Sequence, residues 1–441
     1  MNSLEYLLEE NYQSLKDPEC KLKVIQYIQE HDSVKEENIY FIKKLTKVIH
    51  NIMQDEPDSL KDLEKLHRFN IEGVDIIRDL NREEYKEANL ISIASHFLGY
   101  AGAIAYILFR DTKKVKWAIT CYNNNRASAR LLMEQNERYS AYTFGYAGSI
   151  AKTLFDETKD TQWLIRWYHA KLVSAKVAEK VDIKHSSYCY SIAGKAAMQI
   201  MEKTNEFKWG KLWYDNYIKS AQISIGNNDK HSAHAYSFAG NAALKLFEIS
   251  NTIEWGEKWY ECYISSGDLS CEIEVVHSYN SYRIAGNAAR DCYKMTNDVK
   301  WAKKWYKTLF KSAKLSEGVN LRHTVNGYSI SGDIAEDVYS QTGELEWAEN
   351  MFNAHMKAAQ ICESSNPKHS AHQFSYAGNA AKLMAMQKGE EQWVEHAIYC
   401  YEKFLDFYAK NDSHKVHKVV KRIRSDVYLL KMSLEDIPDK E

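Results

Sequence analysis

Apolar and polar positions alternate along the middle of the chain with the spacing of a helix. In the segment that begins at His231, apolar or small residues recur at steps of three and one; they are Tyr236, Ala239, Gly240, Ala243, Leu246 and Phe247. After the sequence ISNTIE, aromatic residues mark a second helical stripe; they are Trp255, Trp259, Tyr260 and Tyr263. The pattern predicts two amphipathic helices of about 18–20 residues, each about 30 Å long, joined by a short turn.

This pattern returns along the chain at a fixed interval of 46 residues, and two independent markers keep that period. The first marker is a glycine, at Gly102, Gly148, Gly194, Gly240, Gly286, Gly332 and Gly378. The second is a tryptophan, at Trp117, Trp163, Trp209, Trp255, Trp301, Trp347 and Trp393. Seven units without an insertion or deletion predict a tandem array of helical hairpins.

The glycine lies inside a predicted helix, where it costs about 1 kcal/mol relative to alanine. A close approach between helices explains it, because a missing side chain lets the Trp and Tyr rings of the second helix lie against the backbone of the first. We also predict helix N-caps at a recurring hydroxyl position. That position is held by Ser186, Ser232, Ser278, Thr324 and Ser370.

The predicted fold class is all-α: an open α-solenoid, or superhelix, of seven antiparallel hairpins with helical caps at both ends. We place an N-terminal helical bundle at 1–92, the seven repeats at 93–414, and a C-terminal capping helix and tail at 415–441. Apolar spacing before residue 90 predicts four or five helices, broken near Pro18 and Pro57. Those helices are interpreted either as a cap that covers the array or as a separate effector or dimerisation module.

The sequence A-G-N-A-A, followed in the clearest units by (E/K/Q)-W-x-x-(K/R/L)-W-Y, resembles the tetratricopeptide-like repeat family. The resemblance covers residues 93 to about 414 and departs from the family in length, with 46 residues instead of 34 per unit. It implies that the first helix of each hairpin lines the concave side of the solenoid. The superhelical pitch of the family does not transfer to the longer unit.

A second, polar stripe lies beside the packing face of each first helix. In the unit at His231 it consists of His231, His234, Ser237, Asn241 and Lys245, and the other units carry similar residues at the same positions. Such a surface suits hydrogen bonding to an extended peptide, although the same side chains could instead bond their own neighbours and helix ends. The candidate partner-binding residues are Tyr188, Lys195, His234, Ser237, Asn241, Asn280, Arg283, Asn287, Asn326, His372 and Asn379.

Within this stripe, Arg283 and Asn287 match the pairing with which some tetratricopeptide-like proteins hold a C-terminal carboxylate. Most other units have Ser in place of the basic residue, and Asp333 would repel a carboxylate. The pairs His231–His234 and His369–His372 lack third and fourth ligands at a suggestive spacing, so no metal is expected. No phosphate loop, nucleophile elbow or H-E-x-x-H motif is present, and we predict neither catalytic residues nor a cofactor.

Composition narrows the possible partners. Lys plus Arg (58) nearly balance Asp plus Glu (60), so the chain lacks the basic character of a dedicated nucleic-acid binder. Eight scattered cysteines without a C-x-x-C pair are typical of reduced, buried thiols. The acidic N-terminal sequence does not resemble a signal peptide, and no apolar run approaches 18 residues, so we expect a cytoplasmic protein without a membrane segment.

These observations favour a non-enzymatic scaffold that binds a peptide or protein partner in the concave groove of the repeats. One alternative is a regulatory sensor, in which a peptide bound by the repeats changes how the N-terminal helices act on a partner. A third, less favoured interpretation is an enzyme in a closed helical toroid. The oligomeric state cannot be read from the sequence.

Overall fold

The computed structural model describes residues 60–82, 88–411 and 417–435, and these residues form 16 helices and no strands. The chain divides into two compact units, Met1–Ser224 (unit 1) and Ile225–Glu441 (unit 2). The helices of unit 1 are α1 (Leu60–Arg82), α2 (Ala88–Thr112), α3 (Val115–Leu131), α4 (Glu137–Thr158), α5 (Thr161–Ala178), α6 (Ile183–Thr204) and α7 (Phe207–Ser224). Those of unit 2 are α8 (Asp229–Ser250), α9 (Ile253–Ser270), α10 (Val275–Thr296), α11 (Val299–Leu315), α12 (Leu321–Thr342), α13 (Leu345–Cys362), α14 (Pro367–Lys388), α15 (Glu391–Asn411) and α16 (His417–Glu435).

Within each unit every helix packs against the next one along the chain, which confirms an all-α solenoid of antiparallel helical hairpins. Each repeat consists of a first helix, called helix A, and a second, called helix B. In unit 1 the A helices are α2, α4 and α6; in unit 2 they are α8, α10, α12 and α14. From α4 onward, helix A has 22 residues and helix B has 17 or 18, apart from the 21 residues of α15.

The turn inside each hairpin depends on one residue with a left-handed backbone. In the hairpin α8–α9, Asn251 has φ 49° and its N–H donates to the carbonyl of Phe247 at 2.8 Å, which ends helix A. The same place is held by Lys113, Lys159, Asn205, Asn297, Gly343 and Gly389. Asparagine and glycine tolerate this conformation, so the predicted turn after Ser250 is confirmed.

The predicted N-caps are wrong by four residues. Helix α8 begins earlier than expected: Asn228 is its N-cap, and its side chain accepts a bond from the N–H of His231 at 3.1 Å. Equivalent caps, with distances of 3.0–3.1 Å, are Asn136, Asp182, Asn320 and Asn366. A short polar side chain just before the first turn satisfies free backbone donors there, whereas a hydroxyl one turn later has no such donor to accept from.

The hydroxyl row that we assigned to capping instead joins one hairpin to the next. Ser186 Oγ donates to the carbonyl of Ala175 at 2.8 Å, and Ser278 Oγ to that of Gly267 at 2.7 Å. In both cases the acceptor lies near the end of the preceding helix B. The hydroxyls are buried, so each bond satisfies a carbonyl that water does not reach.

The glycine row provides the close approach between helix A and helix B that the sequence predicts. A Cβ placed on Gly240 would lie 2.6 Å from Cε2 of Tyr263, and the same holds for Gly194 against Tyr217. Gly378 receives the ring of Tyr401 in the same way. The prediction that tryptophan rings also lie against these glycines is wrong, because the residue across from each glycine is 23 positions later, whereas the marker tryptophan is 15 positions later.

The tryptophan row packs between successive B helices. Trp301 is fully buried and lies edge-to-face against Tyr260 of the preceding helix B, with ring centroids 5.6 Å apart. The equivalent pairs are Tyr122–Trp163, Tyr168–Trp209, Tyr306–Trp347 and Phe352–Trp393. The two markers therefore stabilise different contacts: glycine acts inside a hairpin, and tryptophan acts between hairpins.

The described ends of the chain are helical. Leu63, Leu66 and Phe69 of α1 are buried in the same core cluster as Phe97 of α2. At the other end the predicted capping helix is α16, whose Ile423 enters the core of unit 2. The helices that we predict before residue 60 lie outside the described residues, and the two boundaries between the three predicted domains stay predictions.

One helix bears on the expectation that the chain has no membrane segment. By length and composition alone, Ile91–Thr112 is apolar enough to cross a membrane, with a mean hydropathy of 1.5. However, 61% of that window is buried against other parts of unit 1, as in the core helix of a soluble protein. The absence of a membrane partner therefore stays a prediction.

Candidate functional site

The candidate site is the side of the A helices on which the predicted polar stripe lies, here called the helix-A face. In unit 1 it includes Tyr188 and Lys195 of α6, both exposed; 56% of Tyr188 is accessible. The other candidates lie in unit 2 on α8, α10, α12 and α14. The structure shows that these residues differ in their burial and in the hydrogen bonds that they make to other side chains of the protein.

The histidine and serine rows form a partly buried network that joins consecutive helices. Ser237 Oγ lies 2.8 Å from Ser266 Oγ on helix B, and Ser266 Oγ lies 2.9 Å from His277 Nε2 on the next helix A. The pairs Ser174–His185 and Ser312–His323 repeat the contact at 3.0 and 2.8 Å. These contacts agree with the structural alternative, and a role of the two rows in binding a partner stays a prediction.

Desolvation lowers the pKa of His185, His277 and His323, so these imidazoles are neutral at pH 7. A neutral ring can accept a bond from one neighbour and donate to another, which suits a hydroxyl network. In this role the histidines position consecutive hairpins. Among the described residues, no group of three His, Cys, Asp or Glu side chains could hold an ion.

Two more histidines in the candidate set have partners of their own. His234 Nε2 lies 2.9 Å from a carboxylate oxygen of Glu274, to which Lys230 also bonds at 2.8 Å. These two groups, Lys230 first, hold the pKa of Glu274 below its usual value. His372 Nε2 lies 3.0 Å from the hydroxyl of Tyr408. Both imidazoles are half-buried, so a ligand would meet them only at their edges.

Some residues of the asparagine row bond to other groups of the protein, and others do not. Tyr263 donates its hydroxyl proton to Asn241 Oδ1 at 2.6 Å, and Tyr401 donates to Asn379 Oδ1 at 2.9 Å. These tyrosines are the ones that lie on the glycines, so each asparagine fixes the ring that closes its own hairpin. Asn280 donates to the carbonyl of Val276 in its own helix at 2.8 Å.

Among the candidates of unit 2, three residues keep their polar groups available for a partner. Arg283 and Asn326 are exposed and Asn287 is half-buried, and none of the three has a hydrogen bond or ion pair within the described parts of the chain. Arg283 and Asn287 lie one helical turn apart on α10 and therefore on the same side of that helix. Together with Asn326, this pair forms the part of the stripe in unit 2 that makes no hydrogen bond or ion pair with other described residues.

The sequence reasoning missed an apolar row on the same face. Two positions before each marker glycine there is an apolar residue in all seven repeats, namely Tyr100, Tyr146, Ile192, Phe238, Ile284, Ile330 and Tyr376. Four of them are exposed to 40–46%: Tyr146, Phe238, Ile330 and Tyr376. Their 46-residue spacing was a sufficient signal, but their place next to A-G on the chain suggested core packing. The helix-A face is therefore mixed, with apolar and polar rows side by side.

The position that faces each glycine also carries ionisable groups in two hairpins. Lys171 replaces the tyrosine beside Gly148, and its Nζ donates to Ser149 Oγ at 3.1 Å. Lys171 is only 6% exposed, and desolvation lowers the pKa of its amine. His355 replaces the tyrosine beside Gly332; it is fully buried, and Nδ1 lies 2.7 Å from Gln373 Oε1. Desolvation lowers the pKa of His355 to about 4.

No family model matches the sequence, and no curated protein does. Among solved structures, the apo form of RapI is 13% identical with a TM-score of 0.32, over 88% of this chain and 99% of that one. Yeast Tom70 is 12% identical with a TM-score of 0.24, over 99% and 92% of the two chains. The S. pombe nuclear import adaptor Nro1 is 13% identical with a TM-score of 0.20, over 75% and 98%.

Sequence identities and TM-scores this low carry no information on function. The fold is therefore assigned from the geometry of the hairpins in this structure. The paired helices, the constant spacing and the glycine-to-aromatic contact agree with the prediction from A-G-N-A-A. The protein has a tetratricopeptide-like helical repeat fold, with an enlarged unit of 46 residues.

Proposed function

We propose that this protein is a non-enzymatic interaction scaffold that binds an extended segment of a protein or peptide partner on the helix-A face of unit 2. The observation that supports this function is the combination of an exposed apolar row with polar groups that the fold does not use. Phe238, Ile330 and Tyr376 offer apolar contacts, while Arg283 and Asn287 offer hydrogen-bond donors. Exposed apolar side chains rimmed by polar ones are typical of interaction surfaces.

The spacing of the rows suits an extended chain. If the A helices of consecutive repeats are spaced like packed helices, about 8–10 Å apart, one repeat corresponds to about three residues of an extended partner, which advances roughly 3.3 Å per residue. An apolar side chain at every third residue would then meet one position of the apolar row in each hairpin. The remaining backbone amides of the partner would bond to the polar row.

Site-specific photo-crosslinking tests the proposal. A benzoylphenylalanine placed at Phe238 or Ile330 should crosslink to peptides selected from a library on the immobilised protein. The matched control carries the crosslinker at Lys307 or Glu349, which are exposed on the B helices. Equal crosslinking from both sets would contradict the proposal, since it would show contact without preference for the helix-A face.

A second measurement separates the polar from the apolar contribution. The double change Arg283→Ala and Asn287→Ala should weaken a selected peptide roughly tenfold, because the donors bond to the partner. The triple change Phe238→Ser, Ile330→Ser and Tyr376→Ser should abolish binding. Circular dichroism confirms that the variants are folded. Unchanged affinity in the triple variant would rule out this surface.

The sensor alternative depends on residues 1–90, of which the structure describes only 60–82 and 88–90. It stays a prediction. No observation on the described residues favours the toroidal enzyme. We also propose that the protein acts in the cytoplasm.

A further inference from the structure

The hairpin α12–α13 differs from other hairpins of unit 2 at two positions that lie beside each other. In α8–α9 and α14–α15, the residue after the marker glycine is an asparagine, which accepts a hydrogen bond from a tyrosine hydroxyl of helix B. In α12–α13, Asp333 follows the glycine, and His355 takes the place of the tyrosine. The first exchange adds a negative charge to the helix-A face, and the second replaces the hydroxyl donor.

His355 has no proton to donate to Asp333. Its Nδ1 lies 2.7 Å from Gln373 Oε1, which is an acceptor, so the single proton of the neutral ring is on Nδ1. Burial lowers the pKa of His355 to about 4 and keeps the ring neutral at pH 7. Nε2 is buried and makes no hydrogen bond with the described residues. It lies 3.9 Å from Asp333 Oδ1, which is too far for such a bond.

Asp333 is therefore a charged acceptor to which the described parts of the protein supply no donor. Its side chain is exposed, and no lysine or arginine among those residues forms an ion pair with it. Desolvation, and then the negative charge of Glu336, raises the pKa of the Asp333 carboxyl. Both effects disfavour the carboxylate form, and a cation that bonds to it would offset them.

Two exposed apolar side chains of the helix-A face lie near this carboxylate. Ile330 comes one turn before Asp333 on α12 and is 42% exposed. Tyr376 on α14 is 43% exposed, and its ring centroid lies 5.2 Å from that of His355. A long basic side chain can place its methylene groups on such residues while its charged end reaches a carboxylate.

The preceding hairpin, α10–α11, has the opposite charge on its helix-A face. There Asn287 follows the glycine, Leu309 of helix B faces that glycine, and Arg283 lies one turn earlier on helix A. A basic group is repelled by Arg283 and attracted by Asp333. This difference between consecutive repeats determines at which repeat a basic residue of a partner is favoured.

We propose that Asp333 binds a basic side chain, lysine or arginine, of the extended partner segment. This inference rests on the proposed function and gives the chemistry of one partner residue. The charged end donates hydrogen bonds to the carboxylate, and the methylene groups contact Ile330 and Tyr376. His355 is a positioning residue, because its unprotonated Nε2 leaves the carboxylate available to the partner. The amino terminus of a peptide has the same chemistry, and the experiment distinguishes the two sources.

Selection of a random peptide library on the immobilised full chain tests the assignment. We expect the selected peptides to share a lysine or an arginine at one position. This enrichment should disappear with Asp333→Asn, which removes the charge and keeps the shape of the side chain. The matched control is Glu349→Gln, which removes an exposed carboxylate on α13 and should select the same peptides as the wild type.

A double-mutant cycle on one selected peptide, measured by calorimetry, tests the contact directly. Replacement of its basic residue by norleucine should weaken binding roughly tenfold, because a charge-assisted hydrogen bond is lost. Asp333→Asn should weaken the unchanged peptide by a similar factor, and the two changes together should cost no more than either alone. Acetylation of the peptide's amino terminus should have no effect. A loss on acetylation that disappears in Asp333→Asn would identify the terminus as the bound group and overturn the assignment to a side chain.

Two variants of similar volume test the role of His355. His355→Tyr installs a hydroxyl that can donate to Asp333 and should weaken the peptide roughly threefold. His355→Phe has no donor and should leave the affinity unchanged. Thermal melting confirms that both variants are folded. An equal loss in the two variants would show that His355 acts through packing alone and would overturn its assigned role.

Two further results would overturn the proposal. The first is a set of selected peptides without a shared basic residue. The second is additive losses in the cycle, which would show that Asp333 and the basic residue do not contact each other. In both cases peptides still bind, and the proposed function stands. Failure to select any peptide would contradict the proposed function, and this proposal with it.

Discussion

The hairpins α4–α5 in unit 1 and α8–α9 in unit 2 cover the glycine of helix A with different side chains of helix B. In α8–α9, the ring of Tyr263 covers Gly240 and its hydroxyl bonds to Asn241. In α4–α5, the aliphatic part of Lys171 covers Gly148 with contacts of 3.0–3.1 Å to a Cβ placed there, and its amine bonds to Ser149. In both, a long side chain crosses the glycine and ends on the next residue of helix A.

The difference shows that the repeat requires a long side chain to cross the glycine of helix A, but does not require that side chain to be aromatic or uncharged. Tyrosine is rigid, neutral and well suited to a buried site. Lysine is flexible and, when charged, is penalised by desolvation, which is the main cause of its lowered pKa. A third variant of the position, His355 in α12–α13, extends the series to an imidazole. The series can be tested by substitution, from large effects to small ones.

Removing the covering side chain should show the largest contrast. Tyr263→Ala should cost about 3–5 kcal/mol, because a buried aromatic ring leaves a cavity. Lys171→Ala should cost at most about 1 kcal/mol, since lost contacts are offset by the release of a desolvated amine. Urea denaturation measures both free energies of unfolding. Similar costs would show that the lysine packs as well as the tyrosine.

Adding one methyl group to the glycine should cost more stability under a rigid tyrosine ring than under a flexible lysine side chain. Gly240→Ala should destabilise the protein by about 1–3 kcal/mol, because the new Cβ would lie 2.6 Å from a ring that cannot bend. Gly148→Ala should be nearly neutral, since Lys171 can shift and alanine favours the helix by about 1 kcal/mol. Thermal melting of the two variants checks this, and a larger loss at Gly148 would contradict it.

Acid should destabilise the hairpin that carries histidine. His355 has a folded pKa of about 4 against 6.5 for a free imidazole. Between these values the unfolded chain binds a proton that the folded chain does not, so stability falls as the pH drops from 6.5 toward 4. We expect a loss of about 1–2 kcal/mol between pH 7 and pH 5, measured by urea denaturation.

The control for this pH dependence is His355→Tyr, which installs the residue found in three other hairpins. Other histidines with a lowered pKa contribute equally to the wild type and to this variant, so the difference between the two isolates His355. A slope of stability with pH that stays the same in the variant would assign the effect elsewhere.

Exchanging only the terminal polar group should give the smallest effects, with opposite signs. Tyr263→Phe removes the bond to Asn241 and should cost about 1 kcal/mol. Lys171→Met keeps the length of the side chain, removes the buried amine, and should stabilise the protein by up to about 1 kcal/mol. The midpoint of urea unfolding should fall for Tyr263→Phe and rise for Lys171→Met. Movement in the same direction would show that the amine is well satisfied where it lies.

Much of the fold could be predicted because its signals are local and periodic. The 46-residue interval, the turn at Asn251 and the small residues around Gly240 each follow from the sequence of one hairpin. The N-caps were misplaced because Ser232 and Asn228 are both good capping residues, and only the length of the helix distinguishes them. Their choice depends on where the preceding helix B ends.

The candidate site was less predictable, because the same residue types serve packing and binding. Asn241 and Asn287 hold the same position in consecutive repeats, yet Tyr263 engages the first, and Leu309 faces the glycine next to the second. The apolar row at Phe238 and Ile330 was missed because its neighbours on the chain are core residues. Exposure depends on which side of the helix the neighbouring helices cover.

The sequence by itself determined the type of element and the number of hairpins, since these depend on spacing within about 46 residues of chain. Only the tertiary structure decided that tryptophan contacts the neighbouring hairpin, that Ser237 and His277 belong to one network, and that Asp333 lies beside a buried nitrogen of His355. The reason is physical: each of these features depends on how one helix is rotated and shifted against another, and side chains from distant parts of the chain set that arrangement together.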